Sequence, residues 1–240
     1  MSARRPAVTR EQPIVAIDGP AGAGKSTVAR RLAEALGFVL VDTGAIYRAV
    51  ALAAVRVGVP LSDGEAAAAL ASNLLATRAL TFERDPAAGM CVKLHGEDVS
   101  EAIRTPEAGQ WASDVSAHAP VRAALLELQR QAGGAGGVVL EGRDIGTVVF
   151  PDAEVKLFLT ASPEVRAGRR HAELLAKGEA PSFKETLASV KIRDLQDETR
   201  KVAPLRRAED AFLVDSSDLD EGEVVARMLE IVRARAERRR

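Results

Sequence analysis

The sequence predicts an α/β fold in which a parallel β-sheet core is flanked by helices, and two observations predict it. Short continuous apolar runs at Ile14–Ile17, Phe38–Val41 and Val138–Leu140 are each followed by polar turn residues. Continuous rather than alternating apolar runs are typical of parallel strands that are buried on both faces. The chain has 240 residues, 47% hydrophobic and 28% charged, which suits a packed core in one large α/β domain with an insertion, or in two small domains.

Composition excludes several classes of protein. The formal net charge of -1 offers no argument for binding nucleic acid or an anionic membrane. The one cysteine, Cys91, excludes an intrachain disulfide and suits a reducing compartment. The basic N-terminus leads into no apolar core, so no signal peptide is expected, and no apolar run approaches the roughly 18 residues that span a bilayer. We therefore expect a cytoplasmic enzyme without nucleic-acid or membrane partners.

A glycine-rich segment joins the first apolar run to a helical pattern. It has the spacing Gly19-x-x-x-x-Gly24-Lys25-Ser26, which is the complete phosphate-binding loop motif, with the strand before it and the helix after it that the motif requires. Backbone N–H groups at such a helix start bind anions. Lys25 is expected to bridge the β- and γ-phosphates of a nucleoside triphosphate, and Ser26 to ligate Mg²⁺. The predicted ATP contacts in this loop are Gly19, Pro20, Ala21, Gly22, Ala23, Gly24, Lys25, Ser26 and Thr27.

The rest of the chain alternates helical and strand-like segments. Turn residues such as Asp85-Pro86 separate two strand-like runs, which predicts a small antiparallel element inserted into the α/β chain. Thr105 followed by Pro106 is typical of a helix start. The predicted elements are a helix over Leu61–Ala76, strands over Leu80–Phe82 and Met90–Leu94, helices from Thr105 and over about Pro120–Gln131, a strand over Val155–Leu159, a strand in AFLVDSS and a final amphipathic helix.

Arginine-rich segments raise the question of what accepts the phosphoryl group. Arg143 and Asp144 follow a predicted strand, and ligands of open parallel sheets bind beyond the carboxyl ends of the strands. Thr43 follows the second strand at a position suited to a helix cap or a ligand hydroxyl. Arg48 lies about one turn into the helix that begins there, where it can clamp a second anion. Water, a hydroxyl group and another phosphate all remain candidate acceptors. Two further clusters favour a closing lid that brings cations over the phosphates: Arg166, Arg169 and Arg170, and Arg193, Asp197 and Arg200.

Five blocks of sequence, in this order, resemble bacterial cytidylate kinases. They are Ile17-Asp18-Gly19-Pro20 with the phosphate loop, VDTGAIYRAVAL, EDVSEAIRT, EGRDIGTVVFPDA and KIRDLQDETRKVAPL, and the resemblance runs from about Ile14 to the last helix. It implies transfer of the γ-phosphoryl group of MgATP to CMP or dCMP, and we expect the protein to be a monomer. It also implies one phosphate-loop kinase domain over residues 13–240, with a nucleotide-monophosphate-binding insert over about 61–104, a helical lid over about 166–185 and a flexible tail over 1–12.

The resemblance also implies roles for individual residues. Thr43 and Asp197 would contact the ribose with support from Arg193, and Arg48 and Arg143 would clamp the acceptor phosphate. Thr43 stands where the family commonly has serine, so the ribose preference stays open. Glu141 stands where the family often has aspartate, and this difference is expected to alter little. The cytosine pocket would comprise Ser113, Arg122, Asp144 and Arg200. The catalytic residues would be Lys25, Arg143, Arg193 and Arg200. The further ATP contacts would be Arg166 and Arg170.

The chemistry of the acceptor supports a kinase for nucleoside monophosphates. The second pKa of a monophosphate is near ~6, so its attacking oxygen is already largely anionic at neutral pH and needs no general base. Arginines, Lys25 and Mg²⁺ would screen the repulsion between the two anions. Two alternatives stay open, namely a kinase for UMP, AMP or another small acceptor, and a regulatory nucleotide-binding module or ATPase switch. The absence of an Asn-Lys-x-Asp motif weakens the switch alternative.

Overall fold

A computed structural model of the chain describes residues 10–85 and 89–237. The described residues form two compact units, the first from residues 10–40, 133–199 and 203–237, and the second from 41–85, 89–132 and 200–202. Most of the tail predicted over residues 1–12 lies outside the described residues. Arg10, at its end, forms ion pairs with Asp152 at 2.9 Å and with Glu154 at 3.1 Å.

The elements follow the order that the apolar runs predict. The strands are β1 (Ile14–Asp18), β2 (Val39–Asp42), β3 (Leu80–Asp85), β4 (Gly89–Leu94), β5 (Glu97–Asp98), β6 (Val138–Gly142), β7 (Val155–Thr160) and β8 (Phe212–Asp215). The helices are α1 (Lys25–Leu36), α2 (Thr43–Val57), α3 (Gly64–Ala76), α4 (Pro106–Ser116), α5 (Ala119–Gly133), α6 (Pro163–Ala176), α7 (Phe183–Thr199) and α8 (Glu221–Glu237). A short 3₁₀ turn at Ala102–Arg104 precedes α4, and a π-helical turn at Ile145–Val149 follows β6.

The first unit is built on a five-stranded sheet with the order β2-β6-β1-β7-β8. The pairings of β1 with β6, β1 with β7 and β7 with β8 are all parallel, as the continuous apolar runs predict. Helices α1 and α8 pack against each other beside these strands, and Leu32, Leu157 and Met228 are buried among them. Since β1 is the central strand, the loop that follows it emerges from the middle of the sheet.

The second unit contains the inserted antiparallel sheet, with the order β3-β4-β5. Its core forms around α2, whose apolar residues are mostly buried together with Leu74, Leu94 and Leu125. The predicted insert of two antiparallel strands is confirmed, and a third short strand, β5, extends it through two register pairs with β4.

Two helix starts differ from the prediction, and local capping explains both. The helix predicted from Leu61 begins at Gly64, because the Asp63 carboxylate accepts a hydrogen bond of 2.9 Å from the Ala66 N–H and ends the preceding turn. Thr43 was a candidate cap, but Asp42 caps α2 by accepting from the Ala45 N–H at 2.9 Å, and Thr43 is the first helical residue. The cap predicted at Thr105 is confirmed.

None of the helices that the structure describes combines the length and the apolar character needed to cross a bilayer.

Candidate active site

The phosphate loop connects the end of β1 to the start of α1. Gly19 has φ +152°, and a Cβ there would lie 1.9 Å from the carbonyl oxygen of Leu159, so only glycine fits. Gly24 is the N-cap of α1 in the left-handed conformation, with φ +86°. Gly24 has no side chain that could cap the helix, so the first N–H groups of α1 are available to bind an anion in the loop.

Lys25 is the first residue of α1 and is buried, with 6% of its surface exposed. Its Nζ donates to the carbonyl oxygen of Pro20 at 2.7 Å. Burial and the nearby Arg143 guanidinium hold the pKa of Lys25 well below its usual range, while the Glu141 and Asp197 carboxylates oppose this shift. The lowered pKa means that the negative charges near Lys25 do not fully stabilise its charged form. A bound polyphosphate would supply further negative charge, so the site is electrostatically suited to one.

The residues beside Lys25 offer oxygen ligands for a magnesium ion. The Ser26 hydroxyl donates to Oε2 of Glu141 at 3.0 Å, and Glu141 is 4% exposed at the end of β6. Mg²⁺ in kinase sites is commonly bound by one or two protein oxygens, with the remaining positions filled by phosphates and water. Among the described residues no group of three or more acidic, histidine or cysteine side chains could hold a metal. Ser26 and Glu141 therefore fit a magnesium ion that arrives with the nucleotide.

The predicted catalytic residues of the first unit lie near one another. Arg143 Nε donates to Oδ2 of Asp197 at 2.8 Å, and its Nη1 donates to the carbonyl oxygen of Gly142 at 3.2 Å. The charges of Arg143, Arg193 and Asp197 all act on Lys25. The structure thus brings together side chains from α1, β6 and α7 that are far apart in the sequence.

Asp18 was not among the predicted site residues, and it joins β1 to the segment after β6. Its Oδ1 and Oδ2 accept hydrogen bonds from the backbone N–H groups of Ile145 and Gly146, both at 2.7 Å. These amides open the π-helical turn that directly follows Arg143 and Asp144, and π-helical turns are frequent at functional sites. A carboxylate at the end of a wholly apolar strand was the sequence signal for this residue. Asp18 fixes the start of that turn relative to the phosphate loop.

The ionisation of Asp18 predicts a pH-dependent stability. Burial, with a smaller effect of the nearby Asp144 charge, raises the pKa of Asp18 from 3.8 to about 6, although the two amide hydrogen bonds oppose this. Between these values the folded protein holds a proton that the unfolded chain releases, so the contribution of Asp18 to the free energy of unfolding falls as pH rises. In Asp18→Asn the side chain is uncharged at every pH, so this contribution is absent. In urea unfolding from about pH 4.5 to pH 7.5, the free energy of the wild type minus that of Asp18→Asn should decrease and then level off above the folded-state pKa. If the free energies of unfolding of the two proteins changed with pH in parallel, the raised pKa of Asp18 would be contradicted.

The second unit carries the predicted acceptor-side residues Thr43 and Arg48 on α2. Arg48 Nη2 donates to Oδ2 of Asp42 at 2.7 Å. Within the described residues, Nε of Arg48 is buried without a hydrogen-bond partner. A Cβ on Gly44 would lie 2.9 Å from Nη1 of Arg48, so the glycine leaves room for the guanidinium. Arg48 is thus oriented by one carboxylate, and its role at the acceptor phosphate stays a prediction.

The residues predicted for the cytosine pocket are divided between the two units. In the second unit, Arg122 is buried with its guanidinium 5.5 Å from the ring centroid of Tyr47, and its Nη1 donates to the carbonyl oxygen of Ser116 at 3.4 Å. Ser113 is half-buried on α4, and Arg200 lies in the segment 200–202 of the same unit. Asp144 is buried in the first unit. Their base-binding role stays a prediction.

The arginines predicted to contact ATP from α6 differ from each other. Arg166 is 4% exposed, and its guanidinium is hydrogen-bonded to Asp194, to Ala161 and to the phosphate loop. Arg170 lies nearer the surface, where its Nη1 pairs with Glu173 at 3.1 Å. ATP contact by either residue stays a prediction, and the bonds of Arg166 indicate a different role. Sequence reasoning did not single out Asp194, since a charged residue on a charged helix carries no distinguishing pattern.

The strand, glycine-rich loop and helix, with Lys25 among arginines, define the first unit as an α/β phosphate-loop protein of the nucleotide-binding class. The sequence model of the family described as Cytidylate kinase matches residues 15–234. A cytidylate kinase of Geobacter sp. strain M21 is 54% identical over 222 residues, covering 92% of this chain and 93% of that protein. A cytidylate kinase of Citrifermentans bemidjiense is 51% identical over 230 residues, covering 95% and 96%. The chain belongs to the cytidylate kinase family.

A solved structure supports the fold independently. An uncharacterized protein from Eubacterium ventriosum has a TM-score of 0.50 to this chain at 12% identity, and the match covers 93% of this chain and 99% of that one. At this identity the similarity shows the fold alone.

Proposed function

We propose that this chain is a cytidylate kinase that transfers the γ-phosphoryl group of MgATP to CMP or dCMP, yielding CDP or dCDP and ADP. The observation that carries the proposal is the phosphate loop with Lys25 beside Arg143 and Arg193, in a chain of the cytidylate kinase family. We expect a cytoplasmic monomer that has no nucleic-acid or membrane partner.

The cations of the first unit explain how transfer can occur without a general base. The attacking oxygen of a monophosphate is an anion at neutral pH, so the barrier lies in bringing two anions together. Lys25 would neutralise charge on the β- and γ-phosphates, and Arg143 and Arg193 would stabilise charge on the transferred group. When bound, Mg²⁺ would neutralise further charge on the phosphates, held by Ser26 and Glu141. Closure of the proposed lid over 166–185 would exclude water, which competes as a nucleophile.

The choice of acceptor is tested by a panel of nucleoside monophosphates. ADP production from ATP should be measured with CMP, dCMP, UMP, AMP and no acceptor. The proposal expects rapid turnover with CMP and dCMP and little ADP without an acceptor. Turnover that is independent of an acceptor would instead support an ATPase switch, and preference for UMP or AMP would identify another kinase.

Arg48 offers a prediction with a matched control on the same helix. Arg48→Ala should reduce kcat/KM for CMP by about one to two orders of magnitude or more, because a hydrogen bond to a charged group contributes roughly 1.5–3 kcal/mol. ATP affinity should stay nearly unchanged. The control is Arg56→Ala, since Arg56 also bonds a carboxylate at 2.7 Å, that of Glu97, but does so at the exposed surface. Loss of ATP affinity with normal CMP kinetics in Arg48→Ala would place Arg48 on the donor side.

A further inference from the structure

Arg166 is fixed on every side by groups of the protein. Its Nε donates to the carbonyl oxygen of Ala161 at 2.9 Å, and its two terminal nitrogens form a bidentate pair with Asp194 at 2.8 and 2.6 Å. Arg166 and Asp194 are both largely buried, with side chains that are 4% and 15% exposed. A buried bidentate pair of this kind holds the guanidinium in one orientation.

The same guanidinium contacts the phosphate loop. Nη1 of Arg166 donates to the carbonyl oxygen of Ala21 at 3.1 Å, and a Cβ on Gly22 would lie 3.3 Å from Cβ of Arg166. A peptide unit is planar and trans, so its C=O and N–H groups point in opposite directions. Holding the Ala21 carbonyl towards Arg166 therefore turns the Gly22 N–H away from Arg166.

A neighbouring arginine on α6 is arranged in a similar way. Arg169 Nη2 donates to the carbonyl oxygen of Ser216 at 2.7 Å, and Nη1 lies 3.5 Å from the carbonyl oxygen of Ala23. Lys25 holds the Pro20 carbonyl from within the loop. Carbonyl oxygens of the loop are thus held by cations at three positions.

Asp194 extends this arrangement to α7. It lies next to Arg193 in the sequence and one helical turn before Asp197, which binds Arg143 at 2.8 Å. The bidentate pair with Arg166 ties this part of α7 to the phosphate loop through a single guanidinium.

The geometry points to Arg166 and Asp194 as a positioning pair that orients the Ala21–Gly22 peptide of the phosphate loop, so that the Gly22 N–H is aimed at a phosphate of ATP. This inference rests on the proposed function only in that the loop binds ATP. In this role Arg166 acts through the backbone, not by touching ATP itself.

Asp194→Asn separates this role from direct contact with ATP. It is nearly isosteric but removes the charge that holds Arg166. If the pair positions the loop, ATP should bind about 10-fold more weakly, a typical effect of losing one charge-assisted hydrogen bond. Arg166→Ala should weaken binding to a similar extent, and the double variant should lose no more than either single variant. If Arg166 contacted ATP directly, Asp194→Asn would release it and ATP affinity would be kept or increased, which would overturn the inference.

The measurements are calorimetric titration of ATP without an acceptor and the amide resonance of Gly22 in a ¹H–¹⁵N spectrum of the nucleotide-free protein. The Gly22 resonance should move in Asp194→Asn. It should stay in place in the control Lys191→Ala, which removes an exposed ion pair of 3.3 Å between Lys191 on α7 and Glu164 on α6. An unmoved Gly22 resonance would also overturn the inference. If Asp194→Asn does not melt cooperatively, Arg166→Lys decides by the same two measurements, because it keeps both charges but cannot make the bidentate pair and reach Ala21 together. Since no acceptor is present, a failure of the acceptor assignment would leave these results interpretable.

Discussion

Replacing Lys25 with methionine is expected to reduce phosphoryl transfer roughly 10²–10³-fold or more, the range seen when one preorganised stabilising group is removed from an active site. Methionine is an unbranched side chain only one atom shorter than lysine, but it carries no charge and cannot neutralise the β- and γ-phosphates. The loss should appear mainly in kcat, because the cation is most valuable where charge develops on the transferred group.

The thermal stability of Lys25→Met is not expected to fall together with its rate. Burial and Arg143 lower the pKa of Lys25, which means that its charged form is disfavoured in the folded protein. Removing this charge favours the folded protein, but Lys25→Met also loses the hydrogen bond to the Pro20 carbonyl oxygen, which offsets this gain, so it should melt near the wild-type temperature. Arg30→Ala, at an exposed position of the same helix, should leave the rate unchanged. A variant with a normal rate would remove Lys25 from the site, and a variant that is both slow and unfolded would show that Lys25 is structural.

The largest change in specificity is expected at Asp144. Cytosine presents an amino donor where uracil presents a carbonyl acceptor, and a carboxylate can accept only from the former. Sites built on such complementarity reject the wrong partner by ~10⁴ or more, so the wild type should strongly prefer CMP over UMP. Asp144→Ala should lower kcat/KM for CMP sharply and bring the two substrates closer together. Asp144→Asn, whose amide can donate to the uracil carbonyl, should favour UMP further.

The measurement is kcat/KM for CMP and UMP in each variant, with Asp218→Ala as an exposed carboxylate control in the same unit. Asp144 also raises the pKa of the neighbouring Asp18, so Asp144→Ala should bring that pKa closer to its ordinary value. An unchanged ratio of the two substrates in Asp144→Ala would exclude Asp144 from the base pocket, even if the pKa of Asp18 moves as expected.

The order of strands and helices follows from local properties of the chain. Continuous apolar runs predict the buried parallel strands, because a strand covered on both faces can expose no polar side chain. The phosphate loop is predicted because glycines are needed where φ is positive or another backbone approaches closely, as at Gly19. The start of α4 at Thr105 and Pro106 follows from the same local chemistry.

The helix starts at Gly64 and Thr43 show the limit of local prediction. In both cases an aspartate one residue earlier accepts the hydrogen bond of the first turn, at Asp63 and Asp42. Several nearby polar residues could have capped each helix, and the choice among them depends on the path of the chain into the helix.

By itself, the sequence determined the α/β fold, the phosphate loop and the membership in a kinase family, since each depends on residues that are adjacent in the chain or on a long ordered resemblance. Only the tertiary structure decided which charged groups meet. Asp18 binds amides 127 and 128 residues away, Arg143 binds Asp197 54 residues away, and Arg166 binds Asp194 and the loop carbonyl of Ala21. The physical reason is that burying an unpaired charge costs free energy, so a buried charge is retained where packing brings an oppositely charged or hydrogen-bonding group beside it. Packing brings together side chains whose spacing in the sequence carries no pattern.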